Sequence, residues 1–300
     1  MLEELDQSIL EFKGDSLFLL NVSLAIIMFG VALDIRIRDF TYLFQTPKPF
    51  FIGIFSQFVM LPFLTFLLVL MIQPIPSVAL GMFLVAACPG GNISNFLTNY
   101  SGGNTALSVS LTAFATLAAV VMTPFNFGFW ASFYPPSAAM LQEIRLDYVD
   151  IFQTVALILG VPLLLGMYVN HSFGRFSKIA SKILKPVSIL IFGAIVIVAF
   201  YSNYHLFLKF ILLIFFWVLA HNFAALLSGF SLARIFRLSL PDTKTLTIET
   251  GIQNSGLALV LIFTYFDGLG GMAIIAGWWG IWHIISGMTV AFTWKKLTAS

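Results

Sequence analysis

The sequence predicts an all-α polytopic membrane protein with nine transmembrane helices, and three observations predict this class. Of its 300 residues, 59% are hydrophobic and only 9% are charged, whereas roughly a quarter of the residues in a soluble domain are charged. Residues 49–142 contain no Asp, Glu, Lys or Arg. The apolar runs are continuous rather than alternating, which favours helices over a transmembrane β-barrel.

Short turns divide the apolar stretches into segments of membrane-spanning length. A helix needs roughly 20 apolar residues to cross the hydrocarbon, and the sequences at 73–76 and 101–104 are typical of turns. The predicted spans lie near 17–33, 48–72, 77–100, 105–130, 149–169, 183–201, 206–229, 242–266 and 269–294. They define an acidic extracytoplasmic tail, a first repeat of four spans, a loop, an unpaired span, and a second repeat of four spans with a cytoplasmic tail, at 1–16, 17–130, 131–148, 149–169 and 170–300.

The distribution of basic residues predicts an N-terminus outside the cell membrane and a C-terminus in the cytoplasm, because cytoplasmic loops are enriched in Lys and Arg. In this orientation 12 of the 15 basic residues lie inside and only Lys13, Arg145 and Lys209 lie outside. The residues on the inner side are Arg36, Arg38, Lys48, Arg175, Lys178, Lys182, Lys185, Arg234, Arg237, Lys244, Lys295 and Lys296. The predicted partner is the lipid bilayer; a net charge of +2 predicts no nucleic-acid binding.

Of the 13 carboxylates, Glu249 alone is predicted well inside a span, the one near 242–266. A carboxylate at that depth costs at least ~2–3 kcal/mol on insertion scales. No Lys or Arg lies in mid-span to pair with it. Three interpretations stay open: a sodium ion, a proton, or a neutral structural glutamate satisfied by hydrogen bonds.

Two predicted spans are interrupted by helix-breaking residues followed by polar side chains. In the third span Pro89, Gly90 and Gly91 precede Asn92, and in the eighth Gly251 stands within the polar run 249–256. Proline removes a backbone donor and glycine loosens a helix. Such runs predict unwound segments whose carbonyls face a cavity, although a simple proline kink or a small-residue packing face would also account for them.

The two interrupted spans occupy corresponding positions in the chain and predict an inverted repeat. The span before the first break carries Gln57 and the span before the second carries His221 and Asn222. Spans 1–4 thus correspond to spans 6–9 with opposite orientation. Two broken helices crossing at the midplane of inverted repeats are typical of secondary transporters. The helix ends would offer amides to an anion and carbonyls to a cation.

These segments resemble the bile acid:sodium symporter family. Residues 88–95 resemble its CPGG-x-x-SN crossover, 106–112 its ALSV-x-x-T helix, 249–256 its E-x-G-x-QNSG segment and 282–287 its WH-x-x-SG end. The motifs occur in order over nearly the whole chain. The resemblance implies a core bundle of spans 2, 3, 4, 7, 8 and 9 and a panel of spans 1, 5 and 6.

The resemblance also implies two co-transported sodium ions and an organic-anion substrate. One sodium site would use Ser94, Asn95, Ser108, Thr112 and Glu249; the other would use Gln57, Glu249 and Gln253 with carbonyls near Thr250 and Ile252. The substrate, an amphipathic steroid conjugate or a small carboxylate, would contact Asn92, Asn254 and His283. In many members Thr replaces Asn92 and Asn replaces Ile284, so the substrate class stays open.

The function expected from the sequence is sodium-coupled symport of an organic anion by alternating access, for which a monomer suffices. A proton-coupled carrier on the same fold is the second interpretation, because one buried carboxylate suits H⁺ as well as Na⁺. A passive channel is a third. An intramembrane enzyme using Glu249 and His283 as acid and base, or Cys88 as nucleophile, is the most remote, since the sequence carries no metal-binding triad.

Overall fold

The computed structural model describes residues 3–10, 14–36, 45–144, 148–202 and 204–299, and every regular element in these ranges is helical. In chain order the helices are α1 (Glu3–Gln7), α2 (Gly14–Ala32), α3 (Pro47–Ile72), α4 (Pro76–Ala87), α5 (Ile93–Ser101), α6 (Thr105–Ser132), α7 (Pro135–Ile144), α8 (Val149–Ser172), α9 (Gly174–Ser202), α10 (Tyr204–Ile235), α11 (Leu240–Gly251), α12 (Ser255–Tyr265) and α13 (Gly270–Ala299). Lys13, Arg38 and Arg145, three of the charges behind the predicted orientation, lie outside the described residues.

Five helices in the described ranges are long and apolar enough to cross a membrane. They are Pro47–Ile72, Thr105–Ser132, Val149–Ser172, Ile214–Ile235 and Gly270–Leu297. Shorter apolar helices are Phe18–Ala32, Pro76–Ala87 and Ser255–Tyr265. The last two are short because Pro76–Ala87 ends at the first break in the chain and Ser255–Tyr265 begins at the second. The all-helical membrane class predicted from the composition is therefore confirmed.

The interrupted helices lie at the centre of the molecule. All residues of α4 from Ser77 to Ala87 are buried, as are those of α11 from Thr243 to Gly251. A helix that is buried on every side can be apolar all round, which accounts for the lack of an amphipathic pattern in α4. Helices α3, α6, α10 and α13 pack around this centre, while α2, α8 and α9 pack on one another.

Helix α3 is continuous through a π-helical turn at Ser56–Met60, just before Pro62. A proline inside a helix leaves the carbonyl four residues earlier without its donor. That carbonyl belongs to Phe58, and Asn126 Nδ2 of α6 donates to it at 3.0 Å. The π turn carries Gln57, and such turns are frequent at functional sites.

The largest departures from the predicted boundaries are at α9 and α7. Helix α9 begins at Gly174, earlier than the predicted start of its span at 183, because the extension carries basic residues that apolar counting leaves out. Helix α7, Pro135–Ile144, lies within the stretch predicted as a loop at 131–148. Charged residues indicate where a helix leaves the membrane, but the backbone hydrogen bonds of the helix can continue beyond that point.

The N-terminal segment, predicted as an acidic tail, packs against the bundle where the structure describes it. Leu5 is fully buried. Ser8 O accepts from Gly270 N at 2.8 Å, and Leu10 N donates to Gly268 O at 2.8 Å. Asp6 Oδ1 accepts the Ser77 amide at 2.8 Å, so residues before α2 satisfy the first turn of α4.

We expect Asp6→Ala to lower the stability of the protein by about 1 kcal/mol, the usual cost of a lost helix cap. Thermal unfolding in detergent measures it. Glu4→Gln is the matched control, because Glu4 pairs with Lys209 on the surface, where ion pairs contribute little. Equal melting temperatures for the two variants would show that the Asp6 carboxylate does not stabilise α4.

Candidate functional site

The two breaks in the chain meet and pair with each other at the crossing, defined here as residues 89–91 and 252–254. Gly91 N donates to Ile252 O at 2.7 Å and Asn254 N donates to Pro89 O at 2.8 Å. Gly90 and Gln253 form an isolated antiparallel bridge between them. A Cβ atom on Gly91 would lie 3.0 Å from Gln253 O, so the close approach favours glycine.

The two breaks have different origins. Cys88 is extended (φ −69°, ψ 154°) at the end of α4, because the residue before a proline is driven out of the helical region. No proline stands at the second break, where Ile252 is extended after Gly251. The backbone groups freed there find partners across the crossing, so the second break depends on the first.

The Glu249 cluster, defined as Ser94, Asn95, Ser108, Thr112 and Glu249, lies beside the crossing. Ser94 Oγ donates to Glu249 Oε1 at 2.6 Å, Ser108 Oγ also donates to Oε1, and Thr112 Oγ1 donates to Oε2 at 3.0 Å. The Ser108 and Thr112 hydroxyls also approach Asn95 Oδ1, at 2.8 and 3.3 Å. The structure brings all five predicted side chains together from α5, α6 and α11.

The chemistry of this cluster is that of a site for a small hard cation or a proton. Glu249 is 6% exposed, and its carboxylate, the Asn95 carbonyl oxygen and three hydroxyls place six oxygens close together. The three hydroxyls have one proton each, so they cannot donate to every acceptor at once. Oxygen ligands are those that hard cations prefer.

The glutamine cluster, defined as Gln57, Thr250 and Gln253, also adjoins the crossing. Gln57 Nε2 donates to Gln253 Oε1 at 2.7 Å and to Cys88 O at 3.0 Å. Gln253 Nε2 donates to Thr250 O at 2.8 Å. The other two predicted ligands make their contacts elsewhere: Ile252 O accepts from Gly91 N, and both Glu249 carboxylate oxygens accept from the Glu249 cluster.

The residues predicted to contact a substrate lie at the helix starts beside the crossing and in α13. Asn92 immediately precedes α5, and Asn254 caps α12 by accepting Leu257 N at 3.1 Å. His283 of α13 is 5% exposed, and its Nδ1 makes no hydrogen bond to the described part of the chain. Helix starts favour negative charge because their free amides and dipole are positive.

Several polar contacts at the site were not predicted. Ser56 Oγ lies 2.8 Å from Thr250 Oγ1, and Thr123 Oγ1 of α6 donates to Ala87 O at 2.9 Å, near the end of α4. The sequence signal for Thr123 is weak, because hydroxyls in membrane helices usually bond their own backbone. These contacts depend on which helices are neighbours, which composition does not specify.

Lys244, predicted among the basic residues of an inner loop, is instead a buried residue of α11. Its side chain is 2% exposed, and Nζ donates to Ser101 O at 2.7 Å, at the end of α5. Nearby, Asn104 N donates to Thr245 Oγ1 at 2.8 Å. A cation at a helix C-terminus stabilises the exposed carbonyls, so Lys244 connects the two interrupted segments away from the crossing.

A buried, oxygen-rich site between two interrupted helices, enclosed by long apolar helices, defines a multi-pass membrane protein of the secondary-transporter class. A comparison with known protein families supports the same class. The family model described as "Sodium Bile acid symporter family" matches residues 21–210, and the chain belongs to this family. Its members are sodium-coupled transporters rather than enzymes.

Relatives from bacteria, plants and animals cover most of the chain. The uncharacterized sodium-dependent transporter YocS of Bacillus subtilis is 34% identical over 96% of this chain and 88% of its own length. The probable chloroplastic sodium/metabolite cotransporter BASS1 of Arabidopsis thaliana is 28% identical over 92% of this chain and 66% of its length. The ileal sodium/bile acid cotransporter of Oryctolagus cuniculus is 30% identical over 83% and 70%.

Proposed function

We propose that this protein is a sodium-coupled symporter of an organic anion that works by alternating access. The observation that carries the proposal is the Glu249 cluster, where a buried carboxylate accepts three hydroxyl donors from two other helices. In the described residues no lysine or arginine forms an ion pair with this carboxylate. A mobile cation would neutralise it at each transport cycle.

Two sodium ions are proposed, one on each side of the crossing, with Glu249 serving both. The first ion would bind among the oxygens of the Glu249 cluster. The second would bind between Gln57 and Gln253 once their carboxamides turn their oxygens towards it, with carbonyl groups of Thr250 and Ile252 as further ligands. Both ions would link the unwound segments and hold them in a single shape.

The proposed substrate is an organic anion, bile-acid-like or a small carboxylate, beside the crossing. Asn92 and Asn254 stand at the starts of α5 and α12, where helix amides favour a carboxylate. The buried His283 would supply a further polar contact. The names of the relatives support a bile-acid-like substrate or another metabolite, since one is a bile acid cotransporter and another a metabolite cotransporter.

The proposed architecture has nine spans in two inverted repeats, with the N-terminus outside and the C-terminus in the cytoplasm. The packing of α2, α8 and α9 on one another supports a panel of spans 1, 5 and 6 beside a core that carries the site. Sodium couples to substrate only if it prefers the substrate-binding shape, and the substrate then raises sodium affinity by the same factor.

Sodium binding is tested by thermal unfolding of the purified protein in NaCl, KCl and choline chloride at equal ionic strength. A ligand present at 100 times its dissociation constant stabilises the folded state by about 2.7 kcal/mol. We expect a rise in melting temperature in NaCl alone. Equal curves in the three salts would contradict sodium binding.

A proton-coupled carrier is the second candidate, favoured by the single buried carboxylate at the site. We expect proteoliposomes to accumulate taurocholate or a small carboxylate under an inward sodium gradient at uniform pH. Accumulation driven by a pH gradient in sodium-free buffer would favour the second candidate instead.

A further inference from the structure

Asn222 holds the end of α11 in place from a neighbouring helix. It is fully buried in α10, and its Nδ2 donates to Gly251 O at 2.8 Å. Gly251 is the last residue of α11, where carbonyls lack the amide of the next turn. A buried carbonyl without a donor is costly, so Asn222 stabilises this particular shape of the break.

Ser286 of α13 fixes the orientation of the Asn222 amide. Ser286 Oγ donates to Asn222 Oδ1 at 2.5 Å, and its alternative acceptor, His283 O, is farther away at 3.2 Å. Because Oδ1 is the end that accepts from Ser286, Nδ2 is the end that faces Gly251. The serine hydroxyl thus acts on the break only through Asn222.

The first break has a related contact. Gln57, from the helix that precedes it, donates through Nε2 to Cys88 O at 3.0 Å. At each break, therefore, an amide from the preceding long helix binds a carbonyl where the interrupted helix ends. The difference lies at the oxygen end of the amide: Gln57 Oε1 accepts from Gln253 Nε2 at 3.3 Å, whereas Asn222 Oδ1 accepts from Ser286 Oγ.

We propose that Asn222, oriented by Ser286, is a positioning residue for the second sodium site. This inference rests on the proposed sodium-coupled function. Gly251 stands between Thr250 and Ile252, whose carbonyls are the proposed backbone ligands, so fixing the Gly251 carbonyl sets the direction of its two neighbours. The pair raises sodium affinity without touching the ion.

The test is a sodium titration of the melting temperature for Ser286→Ala, with Ser286→Thr as the conservative variant. We expect Ser286→Ala to raise the half-saturating sodium concentration about tenfold, as loss of a partner that orients a metal ligand does, and Ser286→Thr to restore it. Thr289→Ala is the matched control, because Thr289 lies in the same helix and its hydroxyl donates to Ile285 O within that helix; its titration should match the wild type.

Asn222→Ala and the double variant, Asn222→Ala with Ser286→Ala, test whether Ser286 acts through Asn222. If Ser286 acts through Asn222, adding Ser286→Ala to Asn222→Ala produces no further loss. The inference alone would be overturned if the wild type shows its sodium shift and Ser286→Ala has the same half-saturating sodium concentration. A wild type without any sodium shift would overturn the proposed function, and the inference with it. If Asn222→Ala does not fold, the comparison of Ser286→Ala with Ser286→Thr tests the inference without it.

Discussion

Replacing Glu249 with Gln is expected to abolish both the sodium-specific rise in melting temperature and sodium-driven uptake, while the protein stays folded. Glutamine keeps an oxygen that can accept from Ser94 and Ser108, but it removes the charge that attracts a cation into the site. Since an unpaired carboxylate is costly in the hydrocarbon region, the variant should be at least as stable as the wild type in choline chloride. Melting curves in NaCl and choline chloride measure both effects.

Asp242→Asn is the matched control for this prediction. Asp242 lies in the same helix, α11, and its carboxylate accepts from Asn104 Nδ2 at 2.8 Å and from Ser239 Oγ at 2.7 Å. The substitution removes one negative charge away from the Glu249 cluster and should retain the sodium shift. A wild-type shift in Glu249→Gln, or its loss in both variants, would contradict a specific role for Glu249.

The helical membrane class and the positions of the breaks follow from local sequence. Continuous apolar runs require helices, because backbone groups in lipid have to bond within their own segment. Pro89 accounts for the end of α4 by local sterics alone. Polar residues in a span need partners, so the two polar runs predict a site, and the structure brings the five residues of the Glu249 cluster together.

The contacts that the sequence did not reveal are those between distant helices. The distribution of basic residues predicts Lys244 in an inner loop, yet the structure buries its side chain, and the C-terminus of α5 provides its partner. Neither Ser286 nor Asn222 taken singly indicates in the sequence that the two side chains pair. Their pairing depends on α10 packing against α13, and single-sequence periodicity does not specify which helix faces touch.

Gly229→Ala is expected to be among the most destabilising small substitutions in the protein. A Cβ atom at this position of α10 would lie 2.6 Å from Leu246 O, 2.9 Å from Thr250 Oγ1 and 3.0 Å from Thr247 Cα. Two of these atoms belong to the backbone of α11, which cannot move aside as a side chain can. Overpacking of this kind costs about 1–3 kcal/mol, and over most of that range it exceeds the gain of about 1 kcal/mol that alanine brings to a helix.

Thermal unfolding of Gly229→Ala beside Gly193→Ala separates steric conflict from helix propensity. Gly193 lies in α9, where a Cβ atom would meet nothing within 4 Å, so its replacement should be neutral or slightly stabilising. Because α11 carries Glu249 and Thr250, its displacement in Gly229→Ala should also raise the sodium concentration needed for half-maximal stabilisation. Equal melting temperatures for the two variants would mean that α10 and α11 have room to separate, and that their close packing is not what holds the proposed sodium ligands in place.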